Sequence, residues 1–102
     1  MAIRQGVTPT FTLTVPETVD LTAAANVYAT FDQGKISLTK TGTDLTVSAQ
    51  TVDVFLSQQE TIMFQKGYVA IQLNWTYSDG SRGCSEIKSI PWDINLLPEV
   101  LQ

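Results

Sequence analysis

Apolar and polar residues alternate along most of this chain. From Thr10 to Val15, Phe11, Leu13 and Val15 interleave with threonines, and a period of two with β-branched residues on the polar face marks a half-buried strand. The same period returns at Val27, Ala29 and Phe31, at Ile36 and Leu38, at Leu45, Val47 and Ala49, and at Val52 and Val54. The longest run is Val69, Ile71, Leu73, Trp75 and Tyr77, and Trp75 at its centre is the expected core anchor. Turn residues separate the runs at short intervals: Asp32-Gln33-Gly34, Thr41-Gly42-Thr43-Asp44 and Ser78-Asp79-Gly80-Ser81. The last is the best hairpin signal, because Gly80 adopts φ > 0 without steric cost. An odd loop count there puts Ile87 on the face of Leu73, and this reading is preferred over an even count, with Arg82-Gly83 as a candidate bulge.

One segment departs from the alternation. Ser57-Gln58-Gln59-Glu60 has capping-box spacing, and Ile62, Met63 and Phe64 follow before Gly67. This predicts a short helical crossover over 58–64. Seven short strands and one helical turn in 102 residues fit a single immunoglobulin-like antiparallel β-sandwich over 1–102, with a short polar N-terminal arm and an apolar tail.

Composition narrows the chemistry. Ten acidic residues against six basic ones give a net charge of −4, contrary to the cationic surface a nucleic-acid binder needs. The chain has no histidine and one cysteine, which removes Ser-His-Asp and Cys-His sites, imidazole-held metals and internal disulfides. Cys84 is expected to be a small buried hydrophobe in a strand. Asp32, Asp44, Asp53 and Asp79 fall in predicted turns or strand ends, where aspartate serves backbone hydrogen bonding. No spacing proposes a facing carboxylate pair, and the dispersed glycines form no phosphate loop, so neither catalysis nor a cofactor is expected. Trp92-Asp93-Ile94-Asn95 carries a fragment of calcium-loop spacing but reads as a strand end after Pro91. No run approaches the length of a membrane span, and the first ten residues hold no signal-peptide core. The chain is therefore expected to start out in the cytoplasm, away from membrane and nucleic acid.

Two surface features remain. Tyr77 and Trp92, with Tyr28 and Tyr68, have the ring chemistry of a sugar-stacking platform, although core packing is the commoner fate of such residues. The tail from Asn95 to Gln102 carries Leu96, Leu97, Val100 and Leu101, with Pro98 interrupting any regular element. It either folds back onto the sandwich or presents an apolar strip to a partner. The threonine-rich first strand is the candidate free sheet edge.

Several segments together resemble a known family. Ile3-Arg4-Gln5-Gly6-Val7-Thr8-Pro9-Thr10-Phe11 is similar to the opening of small prophage-encoded proteins of Gram-positive bacteria. Val27 to Phe31, Ile36 to Lys40, Leu56 to Phe64, Gln72 to Gly80 and Ser85-Glu86-Ile87 continue the likeness over most of the chain. The family resembles the immunoglobulin-like N-terminal domain of phage baseplate upper proteins, which attaches the receptor-binding apparatus. The long C-terminal extension of those proteins has no counterpart in this sequence, so their exact role does not carry over. The resemblance implies a non-enzymatic structural or assembly protein of a phage tail or baseplate. It implies other phage structural proteins as partners, homo-oligomers among them, and assembly into a virion. A carbohydrate-binding module for cell-wall adhesion is the alternative.

Overall fold

The alternating runs become strands where they were expected, and two further pairings complete the sheets. The computed structural model describes residues 2–97 and 99–101, so the expectation for Pro98 lies outside the described residues. In chain order the elements are β1 (Ile3–Arg4), β2 (Thr10–Thr14), β3 (Asn26–Asp32), β4 (Ser37–Thr41), β5 (Leu45–Val47) and β6 (Thr51–Phe55). They continue with α1 (Gln58–Met63), β7 (Gly67–Thr76), β8 (Arg82–Cys84) and β9 (Lys88–Asp93). The larger sheet has the order β1-β9-β7-β3-β4, with β8 also paired to β7, and the smaller sheet is β2-β6-β5. All pairs are antiparallel except β1 with β9. The result is an all-β sandwich of two sheets with one short helix.

The core follows from the period of two. Val27, Ala29 and Phe31 of β3 and Val69, Ile71, Leu73 and Trp75 of β7 point inward from the larger sheet. Leu13, Leu45, Val52 and Val54 meet them from the smaller one. Each large apolar side chain so buried contributes about 1.5–3 kcal/mol. Phe11 bridges the sheets, with its ring centroid 5.7 Å from Phe31 and 6.4 Å from Trp92. Between the strands, Asp32 and Asp79 accept backbone N–H groups from Gly34 and Ser81, each at 2.8 Å, as turn aspartates do. Asp53 instead lies within β6 and accepts from the Thr12 hydroxyl across the strand pair, at 2.7 Å.

The β7–β8 hairpin has the expected odd loop, residues 77–81, closed by Tyr77 donating to the Ser81 carbonyl at 2.9 Å. Ile87 nevertheless faces solvent, 63% exposed, which corrects the inward placement. The cause is a register change. Gly83 lies across from Trp75, and had that register continued, Ile87 would have stood opposite Ile71. Lys88 stands there instead, so one residue has been inserted between β8 and β9. Ser85 holds the bulge: its N–H donates to the Leu73 carbonyl and its hydroxyl accepts the Leu73 N–H, both at 2.9 Å. The insertion turns Ile90 and Trp92 inward at the expense of Ile87, which buries the larger apolar surface. The bulge therefore sits at 85–87 rather than at Arg82-Gly83.

The same phase explains Cys84, which is exposed rather than buried. A methyl group on Gly83 would lie 2.6 Å from Trp75 Cε2, so only glycine fits beneath the indole. With Gly83 facing inward, its neighbour Cys84 must face outward.

Urea unfolding separates these roles. Trp75→Ala is expected to cost about 3–5 kcal/mol, as for other large buried aromatics. Gly83→Ala should cost about 1–3 kcal/mol through overpacking against the indole. Cys84→Ala should stay within about 0.5 kcal/mol of the parent, as an exposed site does.

Candidate interaction surface

At one end of the sandwich, three segments far apart in sequence are fastened together: the arm before β2, α1, and the tail after β9. Helix α1 is only six residues long, so its ends need external partners. Ser57 supplies the first: its hydroxyl accepts the Glu60 N–H at 3.3 Å, and the Glu60 carboxylate accepts the Ser57 N–H at 2.8 Å. This is the capping box expected from sequence. Glu60 also pairs with Lys40 of β4, both carboxylate oxygens lying 2.8 Å from Nζ. The two side chains are only 12% and 20% exposed, for Lys40 and Glu60 respectively. Burial on its own would raise the Glu60 pKa. The Lys40 ammonium and the Ser57 N–H outweigh it and hold the carboxyl below its ordinary value.

Thr61, fully buried, is the central fastening. Its hydroxyl accepts the Gly6 N–H at 2.9 Å and donates to the Val7 carbonyl at 2.8 Å, tying the arm to the helix. Its carbonyl accepts the indole N–H of Trp92 at 3.0 Å, tying the helix to β9. Gly6 makes the turn possible with φ of 85°. Gln5 donates its side-chain amide to the Phe64 carbonyl at 2.9 Å, while Asn95 donates to the Gln5 carbonyl at 3.0 Å. Arg4 reaches the Ile94 carbonyl at 2.8 Å. The tail is then pinned by Gln58, whose amide donates to the Leu101 carbonyl at 3.0 Å and accepts the Leu101 N–H at 2.7 Å. The segments Ile3 to Val7 and Leu56 to Phe64, singled out separately in the sequence, thus meet each other.

The sequence left the tail's placement open between packing on the sandwich and presentation to a partner. The tail backbone folds back onto α1, and its side chains stay outside: Leu96 is 96% exposed, and Leu97, Val100 and Leu101 are also exposed. Among the described residues, seven of the ten exposed large hydrophobics lie on these three segments, Val7, Met63 and Ile94 joining the four of the tail. The other three, Phe55, Tyr68 and Ile87, sit on separate strands or loops. Scattered apolar side chains are ordinary on a protein surface, whereas here most of them share three mutually hydrogen-bonded segments.

The alternative sugar-stacking pair of Tyr77 and Trp92 is not formed, and the commoner fate, core packing, holds for Trp92. Trp92 is 2% exposed, packed against Phe64 at 5.3 Å between ring centroids, and has no face to offer a ligand. Tyr77 is half-buried against the core, and Tyr68 stands alone. The bulge that turns Trp92 inward is what removes it from the surface. Sequence reasoning also missed Thr61, Gln5 and Asn95. A polar fastening between distant segments has no period, and the two-residue β1 is too short to show one. No group of three or more His, Cys, Asp or Glu side chains is gathered among the described residues. Among the described residues, no helix is long and apolar enough to cross a membrane.

Thr61→Val keeps the shape and removes the hydroxyl, leaving the Gly6 N–H without its partner, and should cost about 1–3 kcal/mol in denaturant unfolding. The Glu60 carboxyl, held below its unfolded value, stabilises the fold fully above about pH 4.3 and loses that contribution as pH falls through the folded value. Melting temperature followed from pH 6 to pH 3 should therefore fall less in Glu60→Gln than in the parent chain.

The chain matches no family model, no curated protein and no solved structure.

Proposed function

We propose that this domain is a non-enzymatic structural or assembly component of a phage or prophage particle, in the tail or baseplate region. It acts through protein–protein contacts, with other phage structural proteins as partners and without nucleic acid, membrane or cofactor. The observation that carries this reading is the exposed apolar cluster of Leu96, Leu97, Val100 and Leu101 on a tail whose backbone is fastened down. A held surface of this kind loses little conformational freedom when a partner covers it, which favours tight association. The sequence likeness to baseplate-type domains supplies the context. In a particle built from many copies, modest contacts gain strength by multivalency.

The test uses prophage induction in the source strain, with the protein followed by immunoblot in purified particles and in the soluble lysate. Enrichment in particles is expected, and a Leu96→Ser/Leu101→Ser double variant should be depleted from them while keeping its melting temperature. Confinement of the parent chain to the soluble fraction would overturn the assignment. Binding of the parent chain to cell-wall polysaccharide, unaffected by the double variant, would favour the carbohydrate reading instead.

A further inference from the structure

The smaller sheet has a free edge at β2. In this sheet β2 pairs only with β6. Leu56 donates to the Pro9 carbonyl and Val15 to the Gln50 carbonyl, at 3.0 and 2.9 Å. Hydrogen-bonded pairs alternate along an antiparallel ladder, so Phe11 and Leu13 also bond to β6, across from Val54 and Val52. The N–H and C=O groups of Thr10, Thr12 and Thr14 therefore point away from β6 and line the open edge. All three threonines are exposed, and Phe11 beside them is only half-buried.

Edges of this kind are ordinarily protected by charge, proline or shortness. β1 has two residues, β5 has three and β4 carries Lys40, whereas β2 is five residues, Thr-Phe-Thr-Leu-Thr, with neither charge nor proline inside. We propose that β2 pairs with β2 of a second copy of this chain, antiparallel about a two-fold axis through Thr12. The inference deepens the assembly reading, on which its biological purpose rests.

The occupant follows from the strand itself. Read in reverse, the segment keeps its pattern of polar and apolar positions. Antiparallel pairing centred on Thr12 sets Thr10 against Thr14 and Thr12 against its own copy, so each threonine pair exchanges both backbone hydrogen bonds. On the inner face Phe11 meets Leu13 of the partner and gains the cover it lacks. On the outer face Thr10 meets Thr14 of the partner, a pairing the larger sheet already uses, where the Thr30 and Thr39 hydroxyls lie 3.1 Å apart across β3 and β4, while each Thr12 hydroxyl keeps its bond to Asp53 of its own chain. Charge is compatible as well: two chains of net charge −4 meet along a segment with no charge, so the pairing sets no like charges directly opposite each other. The product is a six-stranded sheet made from two smaller sheets, with an isologous interface.

The test combines sedimentation equilibrium with a symmetric cross-link. The parent chain should show a concentration-dependent dimer. Thr12→Lys, with its side chain directed to solvent, should keep the melting temperature and weaken the dimer by about tenfold or more, as an edge charge set against its own copy does. In a Cys84→Ser background, Thr12→Cys should form a disulfide-linked dimer under mild oxidation, since directly opposed residues lie about 5.5 Å apart at Cα. Thr30→Cys, within the larger sheet, should not. A parent chain that stays monomeric, or a dimer indifferent to Thr12→Lys, would overturn the proposal. A dimer abolished by Leu96→Ser/Leu101→Ser but retained by Thr12→Lys would overturn it too, while assigning self-association to the tail surface.

Discussion

The end of this sandwich that carries its exposed apolar cluster depends on one buried polar residue. Thr61 uses its hydroxyl twice toward the arm and its carbonyl once toward Trp92. A buried hydroxyl is costly unless it is hydrogen-bonded; this one is paired to the arm, and the carbonyl of the same residue to Trp92 of β9. Satisfaction of the group is thus a condition on geometry. It selects the arrangement in which Gly6 turns, Gln5 reaches Phe64 and the tail lies beside α1. The apolar side chains of the tail are presented by a scaffold whose own polar groups are already paired.

Trp92 links that end to the rest of the core. Its ring lies beside Phe64 and Phe11, while its N–H caps a carbonyl that a six-residue helix leaves without an internal partner. The ring reaches this position only because one residue is inserted between β8 and β9. A local device at Ser85 therefore decides which aromatic is buried at the opposite end of β9, and it leaves Ile87 outside as a consequence.

Much of the sandwich was legible in the sequence because its information is periodic. Phe11-Leu13-Val15 and Val69 to Trp75 each state which face is buried, and Ser57 to Glu60 states where a helix begins. The free edge at β2 was within reach for the same reason, whereas the tail has no such period and its placement stayed open. What escaped is aperiodic. Cys84 and Ile87 were misplaced because register after a hairpin depends on a bulge, and the bulge is set by the fit of Gly83 under Trp75 and by the Ser85 side chain. Core packing was the preferred reading for Trp92, but the inserted residue that turns it inward was not legible. The Thr61 fastening joins residues more than fifty positions apart through single hydrogen bonds, and no local pattern announces such a contact.

Native-state hydrogen exchange at the Gly6 amide tests the central role of Thr61 most directly. The Gly6 N–H is held by a buried hydroxyl, whereas the Leu101 N–H is held by the side chain of Gln58 at the surface. If the Thr61 fastening organises this end, Gly6 should exchange with a protection close to that of the central β7 amides, far above that of Leu101. Exchange of Gly6 as fast as Leu101, with β7 still protected, would mean that the arm opens independently of the core, and it would contradict the account.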